Sequence, residues 1–200
     1  MAVQAAVFTR RGIERVMRYS FELARSRNKK KKLASITKSN AQGYGMVLWD
    51  DVFDEVAKDY PDIEWEDRII DATAMLLVLD PYRFDVLVME NMFGDILSDL
   101  MAGLIGGLGL APAGNIGKDA AMFEAVHGSA PDIAGQGVAN PTGLLMSACL
   151  LLDHVEQQEV ATRIRGALDT VIRANESRTV DMGGSASTTE YTEALVRALA

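Results

Sequence analysis

NMFGDILSDLMAGLIGGLGLAP, residues 91–112, is the stretch around which this 200-residue chain can be interpreted. At about 100° per residue, Asp95, Ser98, Asp99 and Ala102 share one face of a helix. The other face is apolar and consists of Ile96, Leu97, Leu100, Met101 and Leu104. The spacing therefore predicts an amphipathic helix with one core-facing side and one acidic side.

Asp95 and Asp99 lie one turn apart on this predicted helix. Like charges at that spacing cost a helix about 0.2–0.5 kcal/mol, and a divalent cation between them removes the cost. Mg²⁺ and Mn²⁺ are hard cations that prefer carboxylate oxygens. An ordinary solvated acidic face explains the same spacing, and the helix alone does not decide between the two interpretations.

The first half of the chain alternates between helical and strand patterns. We predict helices over about residues 11–27, 46–58 and 72–79, and strands over about 33–37, 64–70 and 85–89. This alternation predicts an α/β fold, in which binding groups collect at the carboxyl ends of the strands. Lys38, Asp71 and Asp95 are expected at such ends.

The second half begins with a change of composition. Residues 103–117 are rich in glycine and predict a loop at a boundary between two structural units. Beyond it we predict a strand over 122–126, a loop over 127–140, and helices over 141–154, 157–174 and 188–199.

Composition excludes several classes of protein. A net charge of −8 argues against a nucleic-acid-binding surface, and the basic run 29–32 is expected at the solvated end of a helix. The single cysteine, Cys149, cannot form an internal disulfide and is expected to be buried. No signal peptide or membrane-spanning run is visible, so we expect a cytoplasmic protein without a membrane partner.

Three motifs in order resemble the metal-dependent decarboxylating dehydrogenases, the family of isopropylmalate, isocitrate, tartrate and D-malate dehydrogenases. They are TKSNAQ at 37–42, FGDILSDL at 93–100 and HGSAPDIAGQGVANPTG at 127–143. The resemblance implies an isopropylmalate dehydrogenase-like two-domain α/β fold, truncated at its N-terminal side. Residues 1–105 would be the remainder of the dimerisation and catalytic-lysine domain, and residues 106–200 the C-terminal half of the cofactor-binding domain.

The resemblance also implies roles for individual residues. Lys38 would be catalytic with Asn40 beside it, and Asp71, Asp95 and Asp99 would bind Mg²⁺ or Mn²⁺. Lys38, Asn40 and Asp71 would reach across a two-fold interface, so the expected assembly is a homodimer with shared sites.

The segment 127–140 would bind NAD through His127, Gly128, Ser129, Ala130, Asp132 and Asn140. Small residues allow the backbone to approach a ligand closely, although the chain has no GxGxxG fingerprint. Asp132 favours NAD over NADP, because a carboxylate bonds ribose hydroxyls and repels a 2′-phosphate. A loop histidine bonded to the backbone is the alternative interpretation of His127.

The implied reaction is oxidative decarboxylation of a malate-like 2-hydroxy acid with a carboxylate on C3. The family's tyrosine proton donor and substrate-binding arginines lie upstream of the segment matched by residues 6–24, and no tyrosine here takes that place. A second hypothesis is therefore a catalytically silent fragment or subunit that keeps the dimer face and part of the metal site. Within the first hypothesis, residues 39–62 are closer to tartrate and D-malate dehydrogenases than to isopropylmalate dehydrogenase.

Overall fold

Two structural units, Met1–Ser98 and Asp99–Ala200, divide the chain in the computed structural model, which describes residues 1–200. Each unit is described by itself below. Their assignment as a dimerisation domain and a cofactor-binding domain stays a prediction.

The first unit is built on a three-stranded parallel sheet with the order β2-β1-β3. Its elements are α1 (Arg10–Arg27), β1 (Lys32–Thr37), α2 (Gly45–Ala57), β2 (Glu64–Ile69), α3 (Ile70–Leu79), β3 (Val86–Val88) and the start of α4 (Asn91–Ile105). The predicted alternation is confirmed, with every boundary before α4 within two residues of its expected place.

Helix α1 illustrates how the sequence sets these boundaries. The Thr9 hydroxyl accepts a hydrogen bond from the Gly12 backbone N–H at 3.2 Å and caps the first turn. Asn28 ends the helix in the left-handed conformation, with φ 46°. The lysines that follow, Lys29, Lys30 and Lys31, are exposed, as predicted for the basic run.

The core of the first unit lies between this sheet and helices α1 and α2. Sixteen buried hydrophobic residues form one cluster. At its centre the Phe21 ring stacks on Phe53 and Tyr60, with centroid distances of 5.6 Å and 4.6 Å. The buried indole of Trp49 donates a hydrogen bond to the Ser35 hydroxyl on β1 at 2.9 Å, which holds α2 against the sheet.

Helix α4 forms as predicted, but its buried side differs from the predicted one. Leu97 is buried, whereas Ile96 and Leu104 are 60% and 47% exposed. Ala102, expected on the polar face, is only 3% exposed. The prediction was wrong for these three residues because helical spacing shows which residues share a face of the helix. It does not show which of those residues other parts of the chain will bury.

The second unit contains an antiparallel pair of strands and three helices. Its elements after α4 are β4 (Pro112–Ile116), β5 (Ala121–Ala125), α5 (Thr142–His154), α6 (Gln158–Ala174) and α7 (Thr188–Leu199). Strand β4 lies where we predicted loop, so that part of the prediction was wrong. Pairing with β5 from Pro112–Ala125 to Ile116–Ala121 outweighs the low strand propensity of a segment containing proline and glycine.

The hydrophobic cluster of the second unit is small and lies between α6 and α7. It contains Leu168, Val171, Tyr191 and Leu195. Cys149 on α5 is buried, as predicted, and burial raises the pKa of its thiol. None of the helices has the length and apolar character that a membrane crossing requires.

Candidate active site

Lys38 and Asp71 meet at the carboxyl edge of the parallel sheet. Thr37 and Ile69 are paired at the ends of β1 and β2, and the two polar residues follow this pair. The Lys38 ammonium donates a hydrogen bond to Asp71 Oδ2 at 2.9 Å. This bond lowers the pKa of the Asp71 carboxyl below its ordinary value. The fold therefore places a cation and a carboxylate together where α/β proteins bind ligands.

The turn after Lys38 keeps the neighbouring residues close to this pair. The Lys38 carbonyl accepts hydrogen bonds from the backbone N–H groups of Ala41 and Gln42 at 2.9 Å and 2.8 Å. Asn40 lies within this turn and is exposed. It is thus available to a ligand two residues beyond Lys38.

Asp95 and Asp99 are exposed one turn apart on α4. The start of that helix is fixed by Glu90, whose carboxylate accepts hydrogen bonds from the backbone N–H groups of Met92 and Phe93 at 2.9 Å and 2.8 Å. The chain contains no group of three acidic, histidine or cysteine side chains arranged to hold a metal ion. Asp71, Asp95 and Asp99 therefore belong to no such group within one chain.

A cleft of about 740 Å³ opens in the second unit. Most of its wall comes from the loop over residues 127–140, and it includes these predicted cofactor residues: His127, Gly128, Ser129, Ala130 and Asn140. Asp132 lies outside this wall, exposed in the 3₁₀ turn Pro131–Ile133. The volume is in the range of a site for a small molecule or cofactor.

The course of the loop over residues 127–140 depends on backbone conformations that glycine adopts readily. Gly135 and Gly137 have φ values of 76° and 66°, in the left-handed region that favours glycine. His127 Nδ1 lies 3.0 Å from the Gly128 carbonyl oxygen, and a protonated Nδ1 donates a hydrogen bond to it. This is the backbone bond expected from the alternative interpretation of His127, and the residue also lines the cleft.

Asp181 is the acidic residue in the cleft wall that sequence reasoning missed. Its Oδ2 accepts a hydrogen bond from the Asn140 amide at 2.9 Å. A Cβ added at Gly109 would lie 3.1 Å from the same oxygen, so glycine makes room for this contact. In the sequence, Asp181 is visible only as a carboxylate at the start of the glycine-containing run DMGGS. Its composition predicts a flexible turn and does not point to a binding site.

Comparison with known proteins identifies the family. A family model described as isocitrate/isopropylmalate dehydrogenase matches residues 1–195. The chain belongs to this family. It is 50% identical over 185 residues to a 3-isopropylmalate dehydrogenase of Archaeoglobus fulgidus, covering 92% of this chain and 56% of that relative. It is 47% identical over 196 residues to a probable tartrate dehydrogenase/decarboxylase of Bacillus subtilis, covering 96% and 54%.

Solved structures agree with this result. The crystal structure of isocitrate dehydrogenase from Methylococcus capsulatus superposes with a TM-score of 0.92 at 49% identity, covering 98% of this chain and 58% of that one. The predicted family and the predicted α/β fold are confirmed. The chain spans slightly more than half the length of the curated relatives it matches, 56% and 54% of the two named above. These relatives are named for different substrates, so the family does not identify which acid is used.

Proposed function

We propose that this chain supplies the catalytic lysine, metal ligands and cofactor loop of a NAD-dependent, divalent-metal-dependent decarboxylating dehydrogenase. Its substrate is a malate-like 2-hydroxy acid with a carboxylate on C3, with D-malate or tartrate preferred over 3-isopropylmalate. The observation that carries the proposal is the cleft lined by the loop over residues 127–140, in a member of a decarboxylating dehydrogenase family.

The cofactor is NAD rather than NADP in this proposal. One carboxylate supports that choice, Asp132 in the 3₁₀ turn of the loop over residues 127–140. Carboxylates accept hydrogen bonds from ribose hydroxyls and repel a 2′-phosphate. Small residues in the loop let its backbone approach the dinucleotide.

Lys38 would accept the proton of the substrate hydroxyl in this scheme, and it would do so as the neutral amine. Its side chain is 25% exposed and is held by Asp71, so the amine has a defined position that a ligand can still reach. Asn40, exposed in the following turn, orients the substrate. Removal of the hydroxyl proton would accompany hydride transfer from C2 to NAD, which would leave a ketone at C2. Cleavage of the bond between C3 and its carboxylate would release carbon dioxide and leave an enolate, which a proton donor would then protonate at C3.

The metal ligands proposed are Asp95 and Asp99 of one copy with Asp71 of another. All three donors are carboxylates, which fits a hard cation such as Mg²⁺ or Mn²⁺. A bound divalent cation supplies Lewis-acid stabilisation of negative charge on the substrate oxygen. The absence of such a group within one chain supports the proposal that a second copy completes the set.

Exposed apolar residues on two helices of the first unit support this dimer. Met75, Val78 and Leu79 on α3 are 55%, 56% and 70% exposed. Met92 and Ile96 on α4 are 54% and 60% exposed. Large apolar side chains that are exposed in this way are common at association surfaces. A second copy is the proposed occupant, because it would also complete the metal site.

The second candidate function is a catalytically silent fragment or subunit that keeps the dimer face and part of the metal site. The observation that favours it is the coverage of only 56% and 54% of the relatives' lengths. The proton-donating tyrosine and substrate-binding arginines expected from the family resemblance have no counterpart among the residues of this chain.

Turnover of the chain with NAD and Mn²⁺ tests the two functions. NADH absorbance is followed with D-malate, tartrate and 3-isopropylmalate, for the unaltered chain and for Lys38→Ala. Activity that falls by about 100-fold or more in this variant supports the proposal, because proton transfer contributes at least that much. Lys118→Ala, an exposed lysine beyond β4, is the control and should stay active. Binding of NAD and Mn²⁺ without NADH production favours the silent subunit.

Sharing of the site is tested by mixing two inactive variants. Lys38→Ala and Asp99→Asn each damage both sites of a homodimer, whereas a mixed dimer has one site with both changes and one with neither. About a quarter of the unaltered activity should return after subunit exchange if the interface is isologous. No recovery, with exchange verified by differently tagged copies, contradicts a shared site.

A further inference from the structure

We propose that the segment over residues 179–191 is the positioning element of the cofactor loop, with Asp181 and Thr188 as its two positioning residues. The inference rests on the proposed NAD site and goes beyond it, because neither residue belongs to the loop that forms most of the cleft wall. It starts from three sets of hydrogen bonds that converge on residues 137–142.

The first contact fixes the side chain of Asn140. Its amide nitrogen donates to Asp181 Oδ2 at 2.9 Å, and its amide oxygen accepts from the Thr142 backbone N–H at 3.0 Å. Asp181 is itself held, because its other oxygen accepts a hydrogen bond from the hydroxyl of Thr179, a fully buried residue. Both ends of the Asn140 amide are therefore engaged, and its orientation depends on Asp181.

The second contact fixes the backbone before Asn140. The Thr188 backbone N–H donates to the Gly137 carbonyl at 2.7 Å, and the Thr188 hydroxyl donates to the Ala139 carbonyl at 2.5 Å. Thr188 begins α7 directly after Ser187, whose capping box with Glu190 holds this helix end. Thr188, at the start of a capped helix, thus bonds the carbonyls of two residues of the cleft wall, Gly137 and Ala139.

The third contact fixes the residues after Asn140. The Tyr191 hydroxyl lies 2.8 Å from the Thr142 hydroxyl, and Tyr191 is fully buried. It ties the first turns of α7 and α5 together. The asparagine therefore lies between two anchored neighbours, and all of the anchors come from the segment over residues 179–191.

The loop needs such support because it has little packing of its own. A Cβ added at Gly128, Gly135 or Gly137 would meet no atom within 4 Å. A loop with few contacts must lose conformational entropy when it binds a ligand, unless other bonds have already ordered it. Asp181 and Thr188 should therefore act on cofactor affinity more strongly than on the stability of the unit.

The test is the Kd for NAD, measured by calorimetry on the full 200-residue chain and its variants. Asp181→Ala should weaken binding by about 10-fold, because the Asn140 amide loses its partner. Asp181→Asn should stay within about threefold, since its amide oxygen still accepts from Asn140 and its NH₂ can donate to Thr179. Asp169→Ala, which removes an exposed carboxylate of α6, is the charge-matched control and should leave the Kd unchanged.

A double-mutant cycle separates positioning from direct contact with the cofactor. If Asp181 acts through Asn140, adding Asp181→Ala to Asn140→Ala should weaken binding by less than about twofold further. A further 10-fold loss in the double variant would mean that Asp181 contacts the cofactor itself, and it would overturn the positioning role.

Variants of Thr188 test the same inference independently if Asp181→Ala does not fold. Thr188→Val should weaken NAD binding by about threefold because it loses one hydrogen bond, and Thr188→Ser should restore it. Unchanged NAD binding in Asp181→Ala or in Thr188→Val overturns the inference while the cofactor site stands. Absence of NAD binding by the unaltered chain overturns the cofactor site, and the inference with it.

Discussion

The two units of this chain place their candidate site residues on different kinds of structure. The first unit gathers sixteen hydrophobic residues into one buried cluster and carries Lys38 and Asp71 at the ends of its strands. The second unit has a buried cluster of four and a cleft of about 740 Å³ lined mostly by a loop of small residues. A site at a sheet edge is thus held by packing, whereas a site on a loop is held by individual hydrogen bonds.

This difference has a physical basis in how backbone groups are satisfied. In the first unit the strands pair with each other, and apolar burial supplies most of the stabilisation. In the loop over residues 127–140, carbonyls at Gly137 and Ala139 are paired with a single residue, Thr188. Deleting a packed ring should therefore destabilise the first unit more than the loss of one of these hydrogen bonds destabilises the second.

The largest predicted effect is that of Phe21→Ala in the first unit. Phe21 is fully buried and stacks on Phe53 and Tyr60. Removing the ring should lower the free energy of unfolding of this unit by about 3–5 kcal/mol, because it leaves a cavity among rigid neighbours. Both tryptophans, Trp49 and Trp65, lie in the first unit, so denaturant titration followed by tryptophan fluorescence reports on it selectively.

Val196→Ala on α7 is the matched control for this change. Val196 is 61% exposed in the second unit, and its truncation should change stability by less than about 0.5 kcal/mol. An unchanged fluorescence midpoint in Phe21→Ala would show that the aromatic cluster does not determine the stability of the first unit.

Two glycine substitutions compare a crowded position with an open one within the second unit. A Cβ at Gly184 would lie 2.0 Å from the Arg178 carbonyl oxygen, so Gly184→Ala must displace the turn that carries Asp181. We expect a loss of about 1–3 kcal/mol, as for other overpacked sites. Gly166 lies inside α6, where a Cβ meets no atom within 4 Å, and Gly166→Ala should stabilise the unit by about 0.5–1 kcal/mol.

Denaturant titration followed by far-UV circular dichroism measures both variants, and calorimetry measures their NAD binding. Gly184→Ala should also weaken NAD binding, whereas Gly166→Ala should not change it. Equal stability of the two variants would contradict the close approach at Gly184.

The smallest predicted effect is the response of the first unit to acid. Asp62 is held by Arg25, with oxygen–nitrogen distances of 2.6 Å and 2.9 Å, and this hydrogen bonding lowers the pKa of Asp62 from 3.8 to about 2. Because the folded-state pKa is depressed, the stabilisation is present above the unfolded pKa and is lost as pH falls through the folded value. The stability of the first unit should therefore decline between about pH 4 and pH 2.

Asp62→Asn isolates this contribution. Urea midpoints from tryptophan fluorescence should be lower for the variant at neutral pH. They should converge with those of the unaltered chain as pH falls below about 2, where Asp62 becomes protonated in both folded and unfolded states. Parallel pH profiles for the two proteins would mean that the Arg25–Asp62 pair adds nothing to stability, as is common for exposed ion pairs.

The features that sequence reasoning predicted were those with local causes. The alternation of helices and strands over residues 11–89 depends on side-chain patterns within a few residues, and it is found. The position of Lys38 after β1 and of Asp71 near the end of β2 also followed from the alternating pattern.

The features that the sequence did not predict depend on partners that are distant in sequence. Strand β4 exists because β5 pairs with it, despite unfavourable local propensity. Asp181 reaches Asn140 across 41 residues of sequence, and no local pattern predicts that pair. The exposure of Ile96 likewise depends on which face of α4 the rest of the chain covers.

The amino-acid sequence by itself determined the family, the α/β alternation and the segments that line the two candidate sites, because motifs, caps and periodicity act over short distances. Only the tertiary structure decided that Lys38 bonds Asp71 at 2.9 Å, that one chain holds no group of three metal-binding side chains, and that the segment over residues 179–191 bonds the loop over residues 127–140. Such contacts join residues that are far apart in the sequence, so forming them costs the entropy of closing a long loop. Packing in the folded chain offsets that cost, and no local sequence pattern shows where it will do so.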